Sequence, residues 1–197
     1  MSTIIHYVRH SSYDNPDRIV PGKIPGYRLN DEGKKKAKRV GEFLKESGAQ
    51  FIYTSPLERA YQTAEIIGKY LPKAKIIHTL DLTEVDSIHW QAYKLEELFT
   101  NNYYEAFVNN PAAREVPENL TQLAERMEKF TFFLCERHRG ERVICVSHEF
   151  PIAALRLSME DKSLTLLKSY NVSMASITSF EFDENCKLLK STYKEIS

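Results

Sequence analysis

Short apolar stretches of strand length alternate with longer amphipathic stretches along most of this chain. The apolar stretches are rich in β-branched residues, and they lie at residues 3–8, 51–54, 75–78 and 142–146. Helical spacing of the apolar residues predicts helices between them. Strands that alternate with helices favour a mostly parallel sheet with helices on both faces. The predicted fold class is therefore α/β, as a three-layer α/β/α sandwich.

The boundaries of these elements carry their own signals. Asn30 precedes an amphipathic segment at 31–46, Asn119 precedes a longer one, and both side chains are suited to cap a helix. Ser55 is followed by a proline and, three positions on, by Glu58, which predicts a capping box. Two late stretches, "SITSFEF" and "LLKSTYKE", flank a turn and predict an antiparallel hairpin.

Length and charge narrow the class of protein. We predict a single domain over 1–197 with a small helical insert at about 88–117. The net charge is zero, so no overall positive field draws in nucleic acid. No apolar run approaches the ~18 residues of a membrane span, and the chain does not begin with a signal-peptide pattern. We expect a cytoplasmic protein without a membrane or nucleic-acid partner.

The cysteines are few and widely spaced. Cys135, Cys145 and Cys186 form neither a metal-type pair nor a convincing disulfide framework. We therefore expect three buried thiols, as in proteins of a reducing compartment.

Polar residues follow three of the predicted strands at the point where each strand ends. Arg9 and His10 follow the first strand, residues 55–59 follow the second, and Ser147 and His148 follow the fourth. In open parallel sheets, ligands bind beyond the carboxyl ends of the strands. Taken singly, a histidine at a strand end is most often an ordinary polar loop residue, and an arginine in a helix most often forms a surface ion pair. Their shared placement instead favours one site, provided that the strands are neighbours.

The residue types at these strand ends suit phosphoryl chemistry. The planar guanidiniums of Arg9 and Arg59 match phosphate oxygens, and Arg59 lies near a predicted helix start, where free amides favour anions. The two histidines lie beside fixed positive charges and therefore tend to stay neutral, and a neutral imidazole is a nucleophile toward phosphorus. A leaving alkoxide needs a proton, and the candidate general acids are Glu84, Asp86 and Glu149.

Several segments resemble motifs of the histidine phosphatase superfamily, also called the phosphoglycerate mutase-like family. In family order, they are "YVRHSS", "LNDEGKKKAKRVGEFL", "YTSPLERAYQTAEII", "LTEVDSIHWQ", "PENLTQLAERM" and "VSHEFPIAAL". They cover nearly the whole chain. The third and the last are the most specific matches, and "LTEVDSIHWQ" is the loosest. The resemblance implies the phosphoglycerate mutase-like fold and chemistry on phosphomonoesters.

The same resemblance implies a role for each matched residue. His10 matches the nucleophile that becomes phosphohistidine. Arg9, Arg59 and His148 match the residues that hold the phosphoryl group and stabilise its transition state. Glu84 matches the acid that protonates the leaving oxygen and then activates water. The family uses no metal for this reaction, so neither a metal nor another cofactor is expected.

Further residues are candidates for substrate contact. Ser11 stands where the family usually has glycine, and its hydroxyl is a candidate phosphate ligand. Asn15 is similar to a phosphate-contacting asparagine of the family, one position short. Lys23 and Arg28 lie in "PGKIPGYRL", which resembles a loop of some phosphatases, and Ser147 directly precedes the second histidine.

Two other features of the resemblance concern the surroundings of the site. Glu149 replaces a family glycine, and repulsion from phosphate predicts that its carboxylate points away from the pocket. Tyr103, Tyr104 and Phe107 fall where the family builds a substrate-covering insert. They are candidates either for lining the pocket or for a small core beneath a cap.

Three functions are compatible with these residues. The leading hypothesis is a phosphatase that acts on a small phosphorylated metabolite. A phosphoglycerate-type mutase is the nearest alternative, although the insert is short and rich in Asn, Tyr and Glu, which favours hydrolysis. A non-catalytic phosphate-binding module is the third, motivated by Ser11 and Glu149. The sequence leaves open the identity of the substrate and whether the protein forms a homodimer.

Overall fold

A single mixed sheet forms the centre of the molecule. The computed structural model describes residues 1–196. Within them the sheet has six strands: β1 Thr3–Arg9, β2 Phe51–Thr54, β3 Lys75–His78, β4 Arg142–Ser147, β5 Ile177–Phe182 and β6 Leu188–Lys194. Their order is β3-β2-β4-β1-β5-β6. Pairing is parallel from β3 to β1 and antiparallel from β1 to β6. The predicted α/β class, with a mostly parallel sheet and a late hairpin, is confirmed.

Helices cover both faces of this sheet. The α-helices are α1 Asp31–Leu44, α2 Glu58–Gly68, α3 Asn102–Asn109, α4 Leu120–Arg137 and α5 Glu149–Met159. Short 3-10 helices lie at Leu80–Leu82, Leu95–Thr100 and Leu164–Ser169. None of the helices within residues 1–196 has both the length and the apolar character needed to cross a membrane.

The alternation of side chains along β4 builds two separate cores. Val143 and Cys145 belong to a core that includes residues of α4 and α5. Ile144 and Val146 belong to a second core that includes residues of α1 and α2. Successive side chains of a strand point to opposite faces, so a strand that is apolar throughout is buried on both sides. This arrangement is the predicted three-layer sandwich.

The register of the central strands brings their ends to one edge. Arg9 pairs with Ser147, and Thr54 pairs with Val146. Beyond these pairs, the N–H of His10 donates to the carbonyl of Ser147 at 2.9 Å. The backbone that follows β1, β2 and β4 therefore leaves the sheet at the same level, which positions the predicted site.

The predicted helix starts are confirmed at two places and are wrong at a third. The side chains of Asn30 and Asn119 cap α1 and α4 as predicted. The capping box predicted at Ser55 is wrong, because α2 begins only at Glu58, after an extended Leu57 that offers no side-chain cap. The hydroxyl oxygen of Ser55 instead accepts the N–H of Leu57 at 3.3 Å, ahead of the helix.

The prediction of three free thiols is also wrong. Cys135, near the end of α4, forms a disulfide with Cys186, in the turn between β5 and β6, across 51 residues of sequence. Cys145 is a buried free cysteine. The pairing depends on how a helix end packs against a distant hairpin, and the spacing of cysteines along a chain does not record that packing.

The segment predicted as a helical insert at about 88–117 contains the 3-10 helix Leu95–Thr100 and α3. Trp90 and Phe107 are fully buried, with ring centroids 5.3 Å apart. Phe107 therefore belongs to the core beneath this segment. Tyr103 stacks on the exposed His89 instead.

Gly33, in the first turn of α1, packs against the loop that follows β1. A Cβ at this position would lie 1.8 Å from the carbonyl oxygen of Ser12. We expect Gly33→Ala to lower the free energy of unfolding by about 1–3 kcal/mol, the usual effect of overpacking, and to displace the loop after His10. Urea unfolding measures this, with the exposed Lys34→Ala as control. Equal stability of the two variants would contradict the packing at Gly33.

Candidate active site

A cavity of about 490 Å³ opens where the strands end. Four of the five predicted catalytic residues line it: Arg9, His10, Arg59 and Glu84. The fifth, His148, is fully buried beside His10, with ring centroids 5.1 Å apart. The sheet therefore brings all five together, as its strand ends indicate.

The imidazole of His10 is held in one tautomer. Its Nδ1 lies 2.9 Å from the carbonyl oxygen of Ser11, which can only accept, so Nδ1 carries the proton. Nε2 is then the unprotonated nitrogen, and it accepts from Nε of Arg59 at 3.3 Å. Burial and the charges of Arg59 and Arg9 hold the pKa of His10 well below its ordinary value. His10 thus presents a neutral nitrogen lone pair in a cationic pocket.

Arg59 is buried at the start of α2, where a cation is electrostatically unfavourable. Only 2% of the residue is exposed, and one terminal nitrogen donates to the carbonyl of Gly22 at 2.9 Å. Its guanidinium also lies 5.6 Å from the centroid of the Tyr13 ring. A helix N-terminus favours negative charge, so a buried guanidinium beside it forms a strong anion site. The carbonyl and the ring fix its orientation.

Arg9 approaches the cavity from the end of β1. One terminal nitrogen donates to the carbonyl of Val172 at 2.6 Å, and the other lies 2.7 Å from Oε2 of Glu149. The buried Nε has no hydrogen-bond partner among residues 1–196. The prediction that Glu149 points away is wrong. Glu149 begins α5, and its carboxylate pairs with Arg9 at the cavity wall.

His148 lies behind His10 at the start of α5. Its Nε2 is hydrogen-bonded to Oγ of Ser55 at 2.8 Å. Burial, followed by the charge of Arg59, keeps the pKa of His148 well below its ordinary value. Ser55, predicted to cap a helix, instead positions this histidine.

Glu84 has the environment of a general acid. Its side chain lines the cavity, and its Oε1 accepts the N–H of Val85 at 3.0 Å. Burial raises the pKa of Glu84 to about 7, so both the acid and the carboxylate are available near neutral pH. The alternative acid Asp86 lies outside the lining and pairs with Lys23 at 3.0 Å.

A clamp that sequence reasoning missed holds the loop carrying Glu84. Arg126 of α4 donates to the carbonyls of Asp81 and Thr83 and pairs with Glu118 at 2.8 Å. Glu118 in turn accepts the N–H of Asp86 at 3.1 Å. Both clamp residues lie in the segment "PENLTQLAERM", but that segment alone does not indicate which loop they contact.

None of the five residues predicted to contact substrate lines the cavity. Lys23 pairs with Asp86, as described above. Arg28 is exposed and pairs with Glu58 at 3.1 Å. Both cations are therefore engaged by carboxylates at the surface.

The side chains of Asn15 and Ser147 are hydrogen-bonded within the protein, whereas the buried hydroxyl of Ser11 has no hydrogen-bond partner among residues 1–196. Asn15 closes its own loop through two hydrogen bonds to the backbone of Ile19. The Ser147 hydroxyl donates to the carbonyl of Leu82 at 2.8 Å. Ser11 is fully buried, and its N–H donates to Oγ1 of Thr63 at 3.0 Å.

The cavity lining also contains many apolar side chains. Tyr104, a candidate from the sequence, is among them, whereas Tyr103 and Phe107 are not. Trp90 and Phe99 belong to the lining and were not predicted to do so. Periodicity identifies such residues as apolar but does not distinguish a core from a cavity wall.

Comparison with known proteins agrees with this geometry. The model of the histidine phosphatase superfamily (branch 1) matches residues 5–194. Phosphoglycerate mutase-like protein 4 of Arabidopsis thaliana is 29% identical over 184 residues, covering 90% of this chain and 80% of that protein. The uncharacterized phosphatase PhoE of Bacillus subtilis is 31% identical over 180 residues, covering 89% and 88%.

A solved structure gives the same fold. Phosphoserine phosphatase from Entamoeba histolytica, in complex with 3-phosphoglyceric acid, aligns with a TM-score of 0.85 at 20% identity, covering 98% of this chain and 97% of that one. The family match spans nearly the whole chain, and the residues that it implies meet at one cavity. This chain belongs to branch 1 of the histidine phosphatase superfamily.

Proposed function

We propose that the protein hydrolyses small phosphomonoesters through a phosphohistidine formed on His10. The observation that carries this proposal is the state of that imidazole. Its Nδ1 proton is held by the carbonyl of Ser11, and its unprotonated Nε2 accepts the N–H of Arg59 Nε at 3.3 Å. A phosphoryl group drawn to Arg59 therefore arrives at an unprotonated nitrogen.

The first step transfers the phosphoryl group to the enzyme. Arg9 and Arg59 bind the phosphoryl oxygens, and His148 stabilises the charge of the transition state. The Nε2 lone pair of His10 forms the N–P bond while the P–O ester bond breaks. Protonated Glu84 donates its proton to the leaving oxygen, which departs as the alcohol.

The second step returns the enzyme to its starting state. Glu84, now a carboxylate, takes a proton from a water molecule while the water oxygen attacks phosphorus. The N–P bond breaks, and its electron pair returns to Nε2 of His10. Phosphate leaves, Glu84 is again protonated, and the cycle consumes one water per ester.

We further propose a small-molecule substrate in preference to nucleic acid. The net charge of zero supports this, because the positive groups of the site are confined to one cavity. The roles of the five residues rest on their positions around the cavity and on the family to which the chain belongs.

Release of free phosphate separates hydrolysis from mutase activity. With a panel of phosphomonoesters whose alcohols carry a second hydroxyl, including 3-phosphoglycerate, we expect one free phosphate for each ester consumed, in the presence of EDTA and without added metal. A mutase would instead form an isomeric ester without stoichiometric phosphate. Loss of activity in EDTA that returns on adding a divalent metal would contradict the metal-free mechanism.

A further inference from the structure

The charges around the cavity bear on which leaving groups it accepts. Besides the histidine and the two arginines of the proposed phosphate site, the charged residues that line it are Glu84, Glu149 and Lys168. Lys168 is already engaged, since its Nζ lies 3.2 Å from Oδ1 of Asn109 and 3.6 Å from Oε1 of Glu105. The part of the lining that would face a leaving group therefore combines the carboxylate of Glu149, the protonated carboxyl of Glu84 and a cation that already pairs with Glu105.

Glu149 also engages Arg9, whose Nε is then the one nitrogen left for the phosphoryl group, so Arg9 has no nitrogen left for a substrate carboxylate. Its Oε2 lies 2.7 Å from one terminal nitrogen of Arg9, and the other terminal nitrogen is bound to the carbonyl of Val172. A carboxylate on the leaving group would meet Glu149 directly or would have to displace it. Like charges at such a distance are costly in a partly buried site.

The rest of the lining is suited to apolar groups. It includes Trp90, Leu95, Phe99, Tyr104, Phe150 and Met174. Phe99 is 63% exposed, although it belongs to the cavity wall. Exposed apolar side chains at a cavity often mark the place where an apolar ligand lies.

The polar atoms that remain in the lining are mostly neutral. The hydroxyl of Ser87 and the indole N–H of Trp90 are buried and have no hydrogen-bond partner among residues 1–196. Neither replaces the cation that a carboxylate needs for recognition in a largely apolar cavity.

We infer that this site selects phosphomonoesters of apolar, aromatic alcohols that carry no carboxylate, and that Glu149 is the residue that excludes carboxylated leaving groups. The inference rests on the proposed hydrolysis and adds the class of substrate. It separates this chain from relatives named as phosphoserine phosphatases, whose named substrate carries a carboxylate.

Phosphoserine and phosphoethanolamine test the exclusion, because they differ only in the carboxylate. For the parent protein we expect kcat/KM to favour phosphoethanolamine by about tenfold or more, the effect of one unfavourable charge contact. Glu149→Gln should bring that ratio close to one. Any general effect of the substitution on Arg9 or Glu84 acts on both substrates and cancels in the ratio. Glu125→Gln, on the exposed surface of α4, is the matched control and should keep the parent ratio.

A second pair of esters tests the apolar wall. Phenylpropyl phosphate should exceed propyl phosphate in kcat/KM by about tenfold or more, as expected for burial of a phenyl ring. Phe99→Ala should reduce this preference several-fold through KM. Phe133→Ala, at a half-exposed position on α4, should leave it unchanged.

The outcomes separate the substrate class from the reaction itself. Hydrolysis that depends on His10 but favours phosphoserine, or a phosphoserine ratio that Glu149→Gln does not change, would overturn the substrate class and leave the proposed reaction intact. Equal rates for the phenylpropyl and propyl esters would likewise overturn it. No hydrolysis of any of the four esters would overturn the proposed function and the substrate class together.

Discussion

Replacing His10 with alanine is expected to lower kcat for p-nitrophenyl phosphate by about 10⁴-fold or more, as loss of a covalent nucleophile does in other enzymes. The reason is that Nε2 is the atom that forms the bond to phosphorus. Nitrophenolate leaves readily without a proton. The rate of the first step with this substrate therefore depends on the nucleophile and only weakly on the general acid Glu84. Arg9 and Arg59 remain in the variant, so binding of inorganic phosphate should survive.

The control for this substitution is His78→Ala. His78 ends β3 and is exposed outside the cavity, so its removal should leave kcat at the parent value. Circular dichroism and thermal unfolding establish that both variants fold. If His10→Ala hydrolyses as fast as the parent, the phosphohistidine mechanism is wrong. If the parent binds phosphate but hydrolyses nothing, the chain is the non-catalytic phosphate-binding module instead.

Replacing Glu84 with glutamine is expected to slow hydrolysis of alkyl phosphates by about 10²–10⁴-fold, the usual contribution of a positioned acid. The glutamine amide keeps the shape of the side chain but cannot donate a proton to the leaving alkoxide. With p-nitrophenyl phosphate the first step needs no such proton, although the second step still needs a base. We therefore expect a burst of nitrophenolate equal to the enzyme concentration, followed by slow turnover.

Rapid-mixing measurements of nitrophenolate and of free phosphate reveal this burst. Asp86→Asn is the matched control, because Asp86 lies on the same loop and pairs with Lys23 outside the cavity lining. Equal slowing of alkyl and nitrophenyl esters by Glu84→Gln, with no burst, would contradict the assigned role. A larger effect of Asp86→Asn would assign the acid to Asp86.

The pH dependence of alkyl ester hydrolysis follows from the same residue. The pKa of Glu84 is raised to about 7 by burial, so its acid form is present below that pH and is lost as the pH rises through it. The rate of the first step should accordingly fall about tenfold per pH unit above 7. The pKa of His10 is lowered, so its nucleophilic form persists at mildly acidic pH. Glu84→Gln should remove the inflection near pH 7.

The sequence predicts the position of this site because two simple rules act together. Apolar strands that are buried on both faces define a parallel sheet, and parallel strands deliver their following residues to one edge. Arg9 ends β1, and His10 and His148 directly follow β1 and β4, so their positions depend on little else. Arg59 needs one more step, since it enters through the first turn of α2.

The features that were not predicted depend on contacts between distant segments. Repulsion from phosphate was expected to turn Glu149 away, but the attraction of Arg9 determines its position. Ser55 has the spacing of a helix cap, yet its hydroxyl contacts His148, and α2 begins only at Glu58. The pairing of Cys135 with Cys186 likewise depends on how a helix end meets a hairpin. Local patterns do not encode such choices between partners.

The most direct test of the account is to trap the phosphorylated enzyme. Parent protein mixed with a phosphomonoester and quenched in alkali within the first turnover should carry one phosphoryl group per chain. Peptide mass spectrometry should locate that group on His10, and Glu84→Gln should retain it longer with p-nitrophenyl phosphate. A burst of product with no labelled peptide, or a phosphoryl group on His148 instead of His10, would contradict the mechanism.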